Sequence, residues 1–164
     1  MNNINTEDAP TYSSANNNND DDNHIISLAK TIIARRFKRV DVMSSSETVK
    51  NYLTLYLAEK ECEIFSVIML DNQNRVIEFK ELFRGTVNSA SVYPREVVKE
   101  VLSSNASSVI FTHNHPSGLP DPSESDKQIT KKLIKALELI DVKVLDHIII
   151  GGAESVSFSE AGYL

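Results

Sequence analysis

The sequence predicts an α/β sandwich-like domain with a mixed central sheet. Three observations carry that expectation. Segments of helical period alternate with β-rich segments, in the order helix, hairpin, helix, strand, helix, strand. Two β-rich runs, 63–71 and 75–85, flank the turn-forming "NQN" at 72–74, which is the pattern of a hairpin. The last strand, "VKVLDHIII" (142–150), is apolar nearly throughout, as a central strand covered on both faces would be.

Taken in order, residues 1–23 are rich in Asn, Asp and Ser and carry too few apolar groups to offset the entropy of ordering them. They are expected to form a disordered polar tail. From His24 to Phe37, Ile25, Ile26, Leu28, Ala29, Ile32 and Ile33 recur at helical spacing, giving an N-terminal helical segment over 24–41. The basic "RRFKR" at 35–39 could contact an acidic partner or nucleic acid, but cations also complement a helix C-terminus, and that solvated-end reading is favoured. The main domain is expected over 42–164. Its first helix starts near Ser44–Ser46, where Ser44 and Glu47 have the spacing of a capping box, and it ends around Glu59. After the hairpin, "YPREVVKEVLSSN" (93–105) places Pro94 at a first helical position, with Val97, Val98, Val101 and Leu102 on one face. A short apolar strand, 107–116, then leads into "THNHP". The helix after Ser123 turns Ile129, Leu133, Leu137 and Ile140 inward.

Composition narrows the function classes. A chain of 164 residues with 41% apolar residues fits one domain with a real core. A net charge of -6 gives no broad positive field, so nucleic-acid partners are disfavoured. The single cysteine, Cys62, excludes an internal disulfide framework and a CxxC zinc cage. Neither an apolar run long enough to span a membrane nor a secretory signal is visible, and a cytoplasmic protein is expected.

The stretch "THNHPSGLPDPSESD" (112–126) carries the chemistry. Strand residues two apart share a side, so His113 and His115 project together while Asn114 faces away. Two imidazoles on one side make half of a zinc site, and hydrolytic zinc takes three protein ligands and keeps a fourth position for water. The Pro- and Gly-containing loop after His115 can turn the chain back, and Ser123 has the chemistry of a helix N-cap. Asp126 then falls in the first turn of that helix, where its carboxylate can reach a cation at the strand end.

H-x-H, seven residues, Ser, two residues and Asp resembles the metal motif of JAMM (MPN-type) metalloproteases. The wider text "ELFRGTVNSASVYPREVVKEVLSSNASSVIFTHNHPSGLPDPSESD", with "VLDHIIIG" and "SVSFSEAG", resembles the JAMM domain of the bacterial RadC family over roughly residues 40–164. The resemblance implies a deaminase-like α/β sandwich in which His113, His115 and Asp126 hold zinc (Zn2+), and a metallopeptidase that cleaves a peptide or isopeptide bond with a zinc-activated water. It also implies a peptide or protein substrate. Ser123 would donate to the developing oxyanion, alongside its role as an N-cap. The family's general base is an upstream glutamate. Glu61, Glu63, Glu78 and Glu81 are available, and the resemblance favours Glu63, at the head of "EIFSVIML". His147 either supports this site or is a satisfied core histidine; the core reading is favoured.

RadC-like proteins often carry a helical DNA-binding-type segment ahead of this domain, where this sequence has a polar tail and one or two helices. That departure weakens a DNA-repair accessory role, which would rest on "RRFKR" and loop lysines. The other alternative is a non-catalytic interaction module. The intact ligand set argues against it, because a scaffold needs no open zinc position.

Overall fold

The computed structural model describes residues 17–37, 46–85 and 91–164. Its elements follow the chain as α1 (Asn17–Phe37), α2 (Ser46–Leu57), β1 (Ile64–Leu70), β2 (Val76–Arg84), α3 (Pro94–Ser104), β3 (Ser108–Asn114), α4 (Glu124–Glu138), β4 (Lys143–Gly151) and β5 (Glu154–Ser157). The strands form one mixed sheet in the order β2-β1-β3-β4-β5. Only β3 and β4 run parallel, because α4 crosses between them; the other neighbours are antiparallel.

Alternation within β1 explains the layering. Ile64, Ile68 and Leu70 face one core with Val49, Leu53 and Leu57 of α2. Phe65, Val67 and Met69 face a second core with Val97 and Val101 of α3 and Leu133 and Leu137 of α4. Helices therefore cover both faces of the sheet, and β1 is buried at every residue. The expected α/β sandwich with a mixed sheet is the fold.

Asp71 closes the β1–β2 hairpin: one carboxylate oxygen accepts the N–H groups of Gln73 and Arg75 at 2.8 and 3.0 Å. Pro94 opens α3, and Asn105, in the left-handed region at φ 55°, closes it. The last strand, β5, pairs with β4 and was not expected as a strand. At four residues it is too short to show a period in sequence.

The first helix differs from its expected bounds. It begins at Asn17 rather than His24, with Asp20 in its first turn, where a carboxylate complements the helix dipole. Of its apolar stripe, Ile33 packs onto the core beneath α2, while Ile25 and Leu28 stay exposed. Of the polar tail expected over 1–23, residues 17–23 are instead the start of this helix, and residues 1–16, the Ser44 capping box and the end of "RRFKR" lie outside the described residues.

Candidate metal centre

The parity of β3 sets the first two donors. His113 lies on the face of Phe111, toward α3 and α4, and His115 follows two residues later. The His115 N–H donates to the Ile150 carbonyl at 2.8 Å, which extends the β3–β4 ladder to this residue. The two Nε2 atoms lie 3.0 Å apart. The loop 116–122 then turns back over the end of β4, and Ser123 caps α4 as expected.

Asp126 is the third residue of that helix and completes a reciprocal capping box with Ser123. The Ser123 N–H and hydroxyl donate to Asp126 Oδ2 at 2.8 and 2.6 Å, and the Asp126 N–H donates to Ser123 Oγ at 3.2 Å. The carboxylate is thereby aimed at the histidines. Its Oδ1 lies 3.4 Å from His113 Nε2 and its Oδ2 lies 3.6 Å from His115 Nε2. His113, His115 and Asp126 could hold a metal ion: one donor atom from each lies within 4.8 Å of the others. Among the described residues no second cluster of this kind occurs.

Donor chemistry supports that reading. His115 Nδ1 sits 2.8 Å from the Leu119 carbonyl oxygen, which can only accept, so the ring's proton in its neutral form is on Nδ1 and its Nε2 lone pair is bare. Bare imidazole nitrogens this close to each other and to a carboxylate call for a cation, either a metal ion or a proton. Asp126 draws the His115 pKa upward against the opposing effect of burial. Burial raises the Asp126 carboxyl, but the His113 and His115 rings beside it and the Ser123 hydrogen bond outweigh that and hold it well below the usual carboxylate range.

The cleft around these donors has a volume of about 680 Å³ and is lined also by Glu63, Ser123, Phe65, Tyr93, Ile129 and Lys132. Of the four candidate glutamates, Glu63 is the one that reaches this cleft. Glu81 pairs with Lys60 and Arg84 at 3.7 and 3.6 Å, and Glu61 and Glu78 are exposed.

Two residues support the site, Asn114, whose role was not anticipated, and His147, for which the supporting role was the less favoured of two readings. Asn114 does face away from the histidines, as strand alternation requires. Its side chain grips the segment leading into β1: Oδ1 accepts the Ile64 N–H at 2.8 Å, and Nδ2 donates to the Cys62 and Lys60 carbonyls at 3.1 and 3.3 Å. Glu63 lies within the held segment. His147 is buried, as the core reading expects, yet its Nε2 is also 2.8 Å from His113 Nδ1. Burial, and secondarily the nearby His113, depresses its pKa and keeps it neutral. Sequence alone offered one signal for it, an imidazole next to the apolar run Ile148–Ile150.

The RadC-like JAB domain family matches residues 43–163. Two proteins of Vibrio cholerae serotype O1, both named UPF0758 protein, are 53% and 52% identical to the chain over 142 residues, covering 87% of it and 89% and 90% of their own lengths. A UPF0758 protein of Thiobacillus denitrificans is 48% identical over 140 residues, 85% of this chain and 62% of that protein. Matched over most of its length, with its five-stranded mixed sheet and its His-His-Asp cluster, the chain belongs to the RadC-like JAB domain family.

Proposed function

We propose that this protein is a zinc-dependent hydrolase of a peptide or isopeptide bond, with His113, His115 and Asp126 as the metal ligands. The observation that carries this reading is the pair of Nε2 atoms 3.0 Å apart, facing a capped carboxylate in a cleft that also contains Glu63 and Ser123. Two imidazoles and one carboxylate match the three-ligand set of hydrolytic zinc. Zinc held there would polarise a substrate carbonyl and lower the pKa of water to about 7.

The chain's own residues do the rest. Glu63 accepts the proton of the attacking water and returns it to the leaving amine. Ser123 fixes the direction of Asp126 by donating its one hydroxyl proton to Oδ2, and that proton would have to turn away from Asp126 to serve a developing oxyanion. Phe65 and Ile129 give the cleft apolar walls. A net charge of -6 supports a peptide or protein substrate over a nucleic acid.

Metal analysis of the purified protein, paired with a panel of peptide- and isopeptide-linked substrates, tests the proposal. About one equivalent of zinc per chain is expected, lost in His115→Ala, together with chelator-sensitive cleavage of at least one substrate class. Wild-type protein that takes up no zinc when supplied with it would overturn the reading.

A further inference from the structure

We infer that His147 is a positioning residue for the metal centre: held between Thr130 and His113, its buried ring fixes which nitrogen of His113 is presented to a cation. The inference rests on the metal-site reading above and on a chain of hydrogen bonds whose directions can be worked out from the donors available.

The chain starts on α4. The Thr130 hydroxyl donates its one proton to the Asp126 carbonyl oxygen at 2.6 Å. With that proton committed, Thr130 Oγ1 can only accept from His147 Nδ1, which lies 2.6 Å away. His147 Nδ1 therefore bears hydrogen. In the neutral ring this leaves Nε2 as an acceptor, and the group 2.8 Å from it is His113 Nδ1. His113 must donate there, so its Nε2 is the bare nitrogen, the atom that faces His115 and Asp126. Asp126 stands at both ends: its backbone carbonyl anchors the chain, and its carboxylate lies across from the nitrogen that the chain leaves free.

The surroundings prevent water from replacing His147. It is wholly buried, with the rings of Phe158, Phe65 and Phe111 at centroid distances of 4.8, 5.6 and 6.0 Å. Its placement follows from register. In the parallel β3–β4 pair His147 lies opposite Phe111, so it shares the face of His113 and points toward α4. An apolar side chain at 147 would fill the space but leave the His113 Nδ1–H without an acceptor, freeing the ring to turn or change tautomer.

The test compares full-length wild type, His147→Phe, His147→Gln, Thr130→Val and Phe158→Leu. Zinc affinity is measured by competition with a chromophoric chelator, and histidine tautomers of the metal-free protein are read from 15N spectra at mildly alkaline pH. His147→Phe is expected to lose about 10- to 100-fold in zinc affinity. His147→Gln, which can still accept from His113, should recover most of that loss. Thr130→Val, milder for folding, should lose affinity in the same direction. Phe158→Leu should lower the melting temperature while leaving affinity near wild type, which separates hydrogen bonding from packing. In wild type, His113 and His147 should both carry hydrogen on Nδ1. Unchanged affinity in both His147→Phe and Thr130→Val, an equal loss in Phe158→Leu, or a His113 proton on Nε2 would each overturn the inference. Because the tautomers are read without metal, a wild type that binds no zinc removes the metal-site reading while the hydrogen-bond chain is judged separately.

Discussion

Asn114 accepts the Ile64 N–H at 2.8 Å, so the residue between the two histidines holds the start of the strand next to Glu63. One short strand end thereby aims residues both ways: His113 and His115 toward the cleft, Asn114 toward the segment that brings Glu63 to the same cleft. Asn114→Ala is expected to leave one N–H and two carbonyls without their side-chain partner, at a cost of about 2–4 kcal/mol. Amide exchange at 60–64 should accelerate while zinc uptake persists. Asn114→Asp keeps the acceptor but turns a carboxylate oxygen toward the Cys62 and Lys60 carbonyls, and should be no more stable than the alanine variant at neutral pH. A urea titration matching wild type in either variant would show that the grip is dispensable.

Gly151 sets the height of the loop that steadies His115. A Cβ built on Gly151 would come 2.7 Å from Pro120 Cδ and nearer still to the Leu119–Pro120 backbone, so any larger residue must push that loop off the strand. The Leu119 carbonyl accepts from His115 Nδ1 at 2.8 Å and would move with it. Gly151→Ala is therefore expected to lose roughly 1–3 kcal/mol of stability and about tenfold in zinc affinity. A variant that melts below wild type yet binds zinc with the same affinity would separate the loop from the site.

These two cases mark what the sequence could and could not disclose. The spacing of His113, His115, Ser123 and Asp126 was legible because strand period, Pro/Gly turn chemistry and helix capping are local rules, and the structure brings the four residues together by those rules. The core beneath α3 and α4 was legible from their helical stripes. What could not be read was long-range. Asn114 meets residues about fifty positions earlier, His147 meets His113 through strand register, and the Gly151 contact depends on where a loop lands. Local patterns say which way such side chains point, but not what they meet.

Alkaline stability should depend on Tyr52. Burial, with a smaller push from Tyr56, pushes its hydroxyl from the usual 10.0 up to about 12. The folded state thus holds the proton more tightly than the unfolded one. Its contribution is complete below pH 10 and is lost as pH rises through 12, and a shift of this size corresponds to about 2 kcal/mol. Unfolding free energies of wild type and Tyr52→Phe, followed between pH 9 and 12, should show the wild type falling more steeply. Parallel curves would assign alkaline unfolding to other groups.

Glu63→Gln should separate metal binding from catalysis. Glu63 lines the cleft without belonging to the His-His-Asp cluster, so an amide of the same shape is expected to leave zinc on His113, His115 and Asp126. What it removes is the proton acceptor. General-base catalysis is typically worth about 10² to 10⁴ in rate, and a cleavable substrate should be turned over more slowly by roughly that factor at unchanged zinc content. The other glutamates serve as controls because their surroundings differ. Glu61 and Glu78 are exposed, and Glu81 is engaged with Lys60 and Arg84, so Glu61→Gln and Glu78→Gln should behave as wild type. Glu81→Gln should cost only a little stability, since its half-buried carboxylate meets Lys60 and Arg84 at long range, 3.7 and 3.6 Å. Full activity in Glu63→Gln with a collapse in one of the other three would move the base to that residue and leave the metal ligands as assigned. Activity indifferent to all four would remove the glutamate-assisted mechanism while leaving the zinc content to be judged on its own measurement.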